Sequence, residues 1–411
     1  MKSKIKKVVN NILLTILRWI NYLTPKNEKK IVARVDSIKG KDGKFTIVEE
    51  DNAYVLCEYI KKIDPSIEVE YINKDVYIGE PPIKEFIRNY NIFRKAAIVF
   101  IKNAPPRMYF CKKQRVITLG YFTPFKADKM LENMTDEKYG IGYQDGLMDV
   151  RKELRKLNYE YFTTSRYASI INSTAFNIDI RHFKELGMAR NDLMFKKKDV
   201  DIKEVFGLDF QPKKIIMYAP TFKDYDNYLN KEDTAITLKS IIGYDNIKYD
   251  LTKLLKDNDC VIILKTHNCI EQKDLIDKDG KGILPDNVVL FSDEIKEKYN
   301  FGGYDLFPFT DAMIADYSSI SFDYLNLDKP IIYNVYDMDI YIETRGLSMD
   351  PMEVLMPGEI VKTSKEFLNA INNVIIGEDN NKEKRSVVNK VVNKYSDDKN
   401  CERIYNYIFK K

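Results

Sequence analysis

The segment DAMIADYSSISFDYLNLDKPIIYNV (311–335) contains the pattern that decides the fold. Two short apolar runs flank a stretch with helical spacing, and the first run ends in the polar residues from Asp316 to Ser319. Buried parallel strands have this composition, because helices cover both of their faces and no polar side alternates with the apolar one. The segment therefore predicts a strand–helix–strand unit of a parallel α/β sheet.

Similar runs recur along the chain. In the second half they are KKIIMYAP (213–220), CVIILKTH (260–267) and NVVLFS (287–292). In the first half they are KKIVARV (29–35), KFTIVEE (44–50), AAIVFIK (96–102) and RVITLG (115–120). We predict an α/β protein with two Rossmann-like domains facing a cleft, residues 29–195 and 205–375, followed by a helical tail at 376–411.

Residues 1–25 are predicted to form an amphipathic helix. Residues 2–30 carry eight Lys or Arg and one acid, and apolar residues recur at spacings of three and four. Asn10, Asn11 and Arg18 interrupt the run, which is too short to span a bilayer. A basic face beside Trp19 suits an anionic membrane surface, while a helix docked on the protein's own core is the alternative. We expect peripheral attachment to a membrane.

Composition excludes several classes of protein. The 66 basic and 62 acidic residues nearly cancel to a net charge of +4, which does not indicate a nucleic-acid partner. The five cysteines are scattered without a CxxC pair, so we expect a reducing compartment and neither disulfides nor a protein-bound metal. Neither GxGxxG nor GxxxxGK[ST] occurs, which disfavours dehydrogenases and P-loop enzymes. We expect no tightly bound cofactor.

Ligands bind at the carboxyl ends of strands in open parallel sheets, so the polar residues there are candidate site residues. Ser318 and Ser319 offer hydroxyls and free backbone N–H groups that favour a phosphate, although a simple Ser N-cap has the same appearance. His267, one of two histidines, ends a predicted strand. The other candidates at strand ends and following turns are Thr221, Asp224, Arg345, Gly346, Pro357 and Gly358.

Six segments of the chain, in the order in which they occur, resemble the motifs of the CDP-glycerol glycerophosphotransferase family of teichoic-acid and capsule polymer synthesis. The resemblance spans roughly residues 82–375, and Ala189 replaces a proline of the family pattern. The segments are LGMARNDLMF (186–195), YAPTFKD (218–224), LKTHN (264–268), DAMIADYSSISFDYLNLDKPIIY (311–333), DMDIYIETRGLSMD (337–350) and LMPGEIV (355–361).

The resemblance implies a two-domain fold of the GT-B type at the cytoplasmic face of the cell membrane. It implies transfer of glycerol phosphate, or a related polyol phosphate, from a CDP-linked donor to a hydroxyl of a teichoic-acid-like or capsular polymer, with release of CMP. The acceptor would be an anionic polymer or a lipid-linked molecule. The unit transferred, the acceptor, a primase or polymerase role and the oligomeric state stay open, and a GT-B glycosyltransferase with a nucleotide-sugar donor is the rival.

The resemblance also implies roles for individual residues. Ser318 and Ser319 would contact the donor pyrophosphate, and His267 would stabilise its charge as a catalytic residue, together with Asp224 and Tyr121. The donor-binding set is Thr221, Ser318, Ser319, Arg345, Gly346, Pro357 and Gly358. The acceptor-side set is Thr123, Lys126, Arg190, Asn191 and Asp192.

One motif departs from the family pattern. Where the family usually has Trp-His-Gly-Thr-Pro-x-Lys, with the histidine as the base, this chain has GYFTPFK (120–126), so Tyr121 replaces the histidine. A tyrosine with a pKa near ~10 is a poor base at neutral pH. Three interpretations stay open. Tyr121 or Asp128 serves as the base, the reaction needs little base catalysis, or the chain binds its ligands with altered or lost activity.

Overall fold

The computed structural model describes residues 2–39, 45–72, 83–102, 110–119, 125, 127, 131, 154–155, 157–221, 237–266, 275 and 282–410. The chain forms two compact units. The first unit comprises Met1–Thr123, Thr135–Asp192 and Asp397–Lys411, and the second comprises Pro124–Met134 and Leu193–Ser396. The last residues thus return to the first unit, whereas the sequence analysis treated residues 376–411 as one tail.

Helices and strands alternate along most of the described chain. Up to residue 192 they are α1 Lys2–Leu23, β1 Asn27–Arg34, β2 Ser37–Lys39, β3 Phe45–Ile47, α2 Asn52–Ile63, β4 Glu68–Ile72, α3 Ile83–Phe93, β5 Ala96–Ile101, β6 Arg115–Leu119, β7 Asn158–Thr163, α4 Arg166–Ala175 and β8 Phe183–Glu185. From residue 193 on they are α5 Ile202–Val205, β9 Lys214–Ala219, α6 Leu238–Ile242, α7 Lys248–Asp257, β10 Cys260–Leu264, β11 Val288–Leu290, α8 Asp293–Tyr299, α9 Gly303–Leu306, β12 Ala312–Ala315, α10 Ile320–Tyr324, β13 Ile331–Asn334, α11 Met338–Thr344, β14 Glu359–Val361, α12 Ser364–Ile376, α13 Lys382–Val392 and α14 Asn400–Phe409.

The first unit contains a six-stranded sheet in the order β4-β1-β5-β6-β7-β8, with parallel pairing throughout. All six residues of β5 are buried, which explains its continuous apolar run. The predicted strand at 44–50 is present only as β3, which pairs antiparallel with β2 outside this sheet. Edge strand β4 is mostly half-buried, and its mixed sequence EVEYI did not predict a strand.

The second unit contains a parallel six-stranded sheet in the order β11-β10-β9-β12-β13-β14. All five apolar runs predicted in this half form strands, and among the strands of its described residues only the short edge strand β14 was not predicted. With six strands counted from β9, the order is 3-2-1-4-5-6, which is that of dinucleotide-binding folds. The prediction of an α/β protein with two Rossmann-like parallel sheets is therefore confirmed.

Helix α1 is attached to the first unit by one face. Leu14 and Leu17 are buried. The buried amide of Asn21 donates to Oε1 of Gln114 at 2.7 Å, and Gln114 in turn donates to the carbonyl groups of Phe93 and Ala96, both at 2.9 Å. Among the described helices, none is long and apolar enough to cross a bilayer.

Candidate functional site

The carboxyl ends of β9 and β12 lie side by side at the middle of the second sheet, where the strand order reverses. The two strands pair in parallel up to Ala219 and Ala315. Open α/β sheets bind ligands in the crevice at such a switch point. Thr221 follows β9, and Ser318 and Ser319 follow β12, so the structure brings these three predicted donor-side residues to one edge of the sheet.

Thr221 and Asp316 connect the two strand ends. The backbone N–H of Thr221 lies 2.9 Å from each carboxylate oxygen of Asp316, and the Thr221 hydroxyl donates to Oδ1 at 2.6 Å. Asp316 is only 1% exposed, and a buried carboxylate needs such donors because desolvation penalises its charge. The sequence analysis noted Asp316 at a strand end without a role, since the pairing requires β9 and β12 to be neighbours.

Ser318 and Ser319 form the turn that leads into α10. Ser319 has helical backbone angles (φ −63°, ψ −11°), and its side chain does not cap the helix. The carbonyl of Ser318 instead accepts hydrogen bonds from the backbone N–H and the hydroxyl of Ser321, at 3.2 and 2.9 Å. Because α10 has only five residues, a phosphate here would be bound by hydroxyls and turn amides more than by a helix dipole.

Tyr317 holds this turn against the segment that carries Arg345. The Tyr317 side chain is fully buried and donates to Oδ1 of Asp337 at 3.0 Å. Its ring stacks on Tyr341 of α11, with centroids 3.8 Å apart and planes 17° apart. Arg345 directly follows α11, and its backbone N–H donates to the Tyr341 carbonyl at 2.9 Å. Packing of aromatic rings therefore links the serine turn to the Arg345 segment.

Gly346 forms a left-handed turn after Arg345, with a φ of +81° that favours glycine. Its carbonyl accepts a hydrogen bond from the backbone N–H of Ala127 at 3.1 Å. Nearby, the Phe125 carbonyl accepts from the Ser348 hydroxyl at 2.8 Å. Both partners belong to Pro124–Met134, which is part of the second unit. One end of the predicted acceptor motif therefore packs against the segment of Arg345.

Pro357 and Gly358 lie apart from the other donor-side candidates. Gly358 precedes β14, at the amino edge of the sheet, and a Cβ there would lie 2.0 Å from the carbonyl oxygen of Ile331 at the start of β13. This close approach gives Gly358 a packing role. The amino and carboxyl edges are separated by the length of the strands, about 10 Å for strands of this size, so the structure does not bring these two residues to the serine turn.

The predicted acceptor-side residues Arg190, Asn191 and Asp192 make structural contacts within the first unit. The Asp192 carboxylate accepts hydrogen bonds from the backbone N–H and side-chain amide of Asn400, at 2.9 and 2.8 Å, and from the backbone N–H of Cys401 at 2.9 Å. It thereby caps the N-terminus of α14. The backbone N–H of Arg190 donates to Oδ1 of Asn52 at 3.0 Å. An acceptor-side role for these residues stays a prediction.

Comparison with protein families identifies the chain. The sequence profile of the CDP-glycerol:poly(glycerophosphate) glycerophosphotransferases matches residues 22–410. The chain belongs to this family. The resemblance inferred from the sequence motifs is therefore confirmed, and the predicted enzyme class is that of the family.

Individual relatives agree with this assignment. The chain is 27% identical over 395 residues to a teichoic acid poly(glycerol phosphate) polymerase of Bacillus spizizenii, covering 90% of this chain and 91% of the relative. It is 26% identical over 432 residues to a teichoic acid glycerol-phosphate transferase of Staphylococcus aureus, covering 100% of both. The solved wall teichoic acid polymerase TagF shares the fold, with a TM-score of 0.66, 24% identity, and coverage of 100% of this chain and 97% of that one.

Several predicted site residues lie outside the described residues. These are the predicted catalytic residues Tyr121, Asp224 and His267, the predicted acceptor-side residues Thr123 and Lys126, and the alternative base Asp128. Their roles stay predictions. The chain after β10 is described as far as Thr266, the residue before His267, and the backbone N–H of Lys265 donates to the Tyr218 carbonyl at 2.8 Å.

The first unit has a charged cluster that the sequence analysis did not find, at the carboxyl ends of β1 and β5. Asp36 pairs with Lys102 and, at 2.8 Å, with Nη1 of Arg34. Its backbone N–H donates to Asp51, which caps α2 by accepting from the backbone N–H of Ala53 at 2.8 Å. Burial, reinforced by the charge of Asp36, raises the pKa of Asp51. Burial opposes ionisation of Asp36, but the ion pairs with Lys102 and Arg34 outweigh it and lower its pKa.

Thr221 and the serine turn place hydroxyl groups at the switch point of the second sheet. Within the described ranges, no group of three or more His, Cys, Asp or Glu side chains is arranged to hold a metal ion.

Proposed function

We propose that the protein transfers glycerol phosphate, or a related polyol phosphate, from a CDP-linked donor to a hydroxyl of a teichoic-acid-like or capsular polymer, and releases CMP. The family match over residues 22–410 is the observation that carries this proposal. The positions of Thr221, Ser318 and Ser319 at the switch point of the second sheet support it, because nucleotide ligands bind at that point in sheets of this order.

The proposed step is an in-line displacement. An acceptor hydroxyl oxygen forms a bond to the β-phosphorus of the donor, and the bond from that phosphorus to the bridging oxygen breaks. CMP leaves with the bridging oxygen and its electron pair, while the acceptor proton passes to a base or to water. Ser318, Ser319 and Arg345, with His267, would neutralise the charge that develops on the leaving phosphate.

The base that would accept the proton of the acceptor hydroxyl has two candidates. Tyr121 stands where the family usually has a histidine, and Asp128 is the nearby alternative. Phosphoryl transfer depends mainly on positioning and on charge neutralisation, so a weak base is compatible with activity. Replacing Tyr121 by histidine tests this point: a rise in turnover would indicate that the wild-type residue limits the reaction.

The acceptor would be reached at the cytoplasmic face of the membrane, to which α1 attaches the protein. Ile12, Ile16 and Leu23 of α1 are 57%, 50% and 70% exposed, on the face opposite to Leu14 and Leu17. An apolar stripe on a basic helix suits an anionic bilayer surface. Ile16→Gln with Leu23→Gln should therefore reduce vesicle binding, whereas Ile376→Gln with Val387→Gln, two residues exposed on α12 and α13, should not.

A donor panel tests the proposed reaction. The protein is incubated separately with CDP-glycerol, CDP-ribitol and UDP- or CMP-linked sugars, and both CMP release and the mass of the extended acceptor are measured. We expect CMP release with addition of one polyol phosphate unit per step. Transfer from a sugar nucleotide alone would establish the rival glycosyltransferase. Donor binding without release, restored by Tyr121→His, would establish a binding homologue with lost activity.

A further inference from the structure

A cavity of about 420 Å³ lies in the first unit between α1 and the residues that precede β6. Trp19 and Tyr22 line it from α1, and Phe110 and Lys112 line it from the segment before β6. Sites for small molecules typically measure about 300–1,000 Å³. The cavity belongs to the first unit, whereas the residues proposed to bind the donor belong to the second, so it is not explained by the donor.

The walls of the cavity combine aromatic rings with positive charge. Arg18 and Lys112 contribute cations to the lining. The ammonium group of Lys113 lies 4.2 Å from the centroid of the Tyr22 ring, which adds a third positive charge at its margin. Aromatic rings favour an apolar group, and guanidinium and ammonium groups favour phosphate oxygens. The lining therefore suits a molecule that has an apolar part and an anionic part.

Hydrogen bonds fix the two segments that line the cavity, the end of α1 and the residues before β6. Asn21 of α1 is bonded to Gln114, which directly follows Lys113. The ammonium group of Lys26 donates to the carbonyls of Thr24 and Arg94, at 2.8 and 2.9 Å. These buried and half-buried bonds fix the end of α1 relative to the sheet. Hydrogen bonds therefore hold in place the end of α1, which carries Arg18 and Trp19, and the segment before β6, which carries Lys112.

We propose that this cavity binds an anionic phospholipid of the membrane, with its phosphate at Arg18 and Lys112 and its chain against Trp19 and Phe110. The proposal rests on the attachment of α1 to the membrane proposed above. Trp19, which is 62% exposed, lines the cavity and also belongs to the exposed apolar stripe of α1. The cavity is thus continuous with the surface that would face the bilayer, which argues for a lipid as the occupant.

The chain's single tryptophan, Trp19, lines the cavity, so its fluorescence reports on binding there. We would titrate the full-length protein with dihexanoyl-phosphatidylglycerol below its micelle-forming concentration. We expect a saturable shift of Trp19 emission to shorter wavelength. Arg18→Gln with Lys112→Gln should weaken the apparent affinity about tenfold or more, because charge-assisted hydrogen bonds are lost. Lys62→Gln with Lys253→Gln removes the same charge at two exposed positions and should leave the affinity unchanged.

Three results would overturn the proposal. An equal shift with dihexanoyl-phosphatidylcholine would show that the charge of the lipid is not recognised. An equal shift with inorganic phosphate or glycerol 3-phosphate would indicate a site for free anions. No shift with any lipid would show that the cavity is not a lipid site, and retained binding to phosphatidylglycerol vesicles would then leave the attachment of α1 intact. The transferase proposal is independent of all three results.

Discussion

The hydroxyl of Thr221 donates to the carboxylate of Asp316 at 2.6 Å, and its backbone N–H donates to the same carboxylate at 2.9 Å. This relationship joins the ends of β9 and β12, the two strands between which the order of the second sheet reverses. The turn with Ser318 and Ser319 begins two residues after Asp316. One buried carboxylate therefore connects the residue that follows β9 to the segment that leads into the serine turn.

We predict that Asp316→Ala lowers the free energy of unfolding by about 2 kcal/mol, because it leaves the half-buried N–H and hydroxyl of Thr221 without their acceptor. Thr221→Val removes only the hydroxyl and should cost about half as much. Chemical denaturation of both variants measures the effect. Activity should fall in Asp316→Ala even where the protein is fully folded, and full activity there would contradict a positioning role for the carboxylate.

Ser319→Ala should raise the KM for the CDP-linked donor about tenfold, because a hydroxyl that binds a charged phosphate oxygen contributes roughly 1.5–3 kcal/mol. Steady-state CMP release at varied donor concentration provides the measurement. The matched control is Ser386→Ala, at an exposed position of α13, which should have wild-type kinetics. If Ser319→Ala also behaves as wild type, Ser319 does not contact the donor.

Asp192→Ala should destabilise the first unit by about 3 kcal/mol, since the backbone N–H groups of Asn400 and Cys401 lose their buried acceptor. Asp397→Ala removes a more exposed ion pair with Arg403 on the same helix and should cost about 1 kcal/mol or less. Thermal and chemical unfolding measure both changes. Acceptor kinetics measured below the unfolding transition test the predicted acceptor-side role of Asp192. A large loss of turnover in folded Asp192→Ala would favour that role over a purely structural one.

Asp36 and Asp51 should show opposite dependences of stability on pH. The pKa of Asp51 is raised above its ordinary 3.8, so this carboxyl lowers the stability of the folded protein as pH rises from 3.8 through the raised value. Asp51→Asn, which retains an N-cap, should therefore gain stability relative to wild type towards neutral pH. The pKa of Asp36 is lowered from 3.8, so its contribution is present above 3.8 and is lost as pH falls through the folded value.

Denaturation at several pH values between about 3 and 7 tests this pair, because the window includes the ordinary carboxylate pKa. Asp36→Asn should be less stable than wild type at neutral pH, and the difference should shrink in acid. If Asp36→Asn is as stable as wild type at neutral pH, the ion pairs of Asp36 do not dominate its environment. If Asp51→Asn gains no stability relative to wild type between acid and neutral pH, burial does not penalise the Asp51 carboxylate. The double variant then measures how strongly the two carboxylates interact.

Sequence patterns predicted the strands with continuous apolar runs and missed those without them. β9, β10 and β12 are buried on both faces, so their composition alone was sufficient. β4 and β14 are partly exposed edge strands whose mixed sequences resemble loops. For the site, the polar residues after the strands were found, and Asp337 and Tyr341 belong to the motif segment 337–350. Their contacts with Tyr317 were not predicted, because spacing along the chain does not show which side chains meet.

The sequence by itself determined the fold class, the family and the residues at strand ends, because continuous apolar runs and motif order are properties of the chain alone. Only the tertiary structure decided which of those residues meet. It placed Thr221 beside Asp316, separated Gly358 from the serine turn and assigned the Asp192 carboxylate to capping α14. These relationships join residues far apart in the chain, and strand order and packing, which no local pattern encodes, decide them.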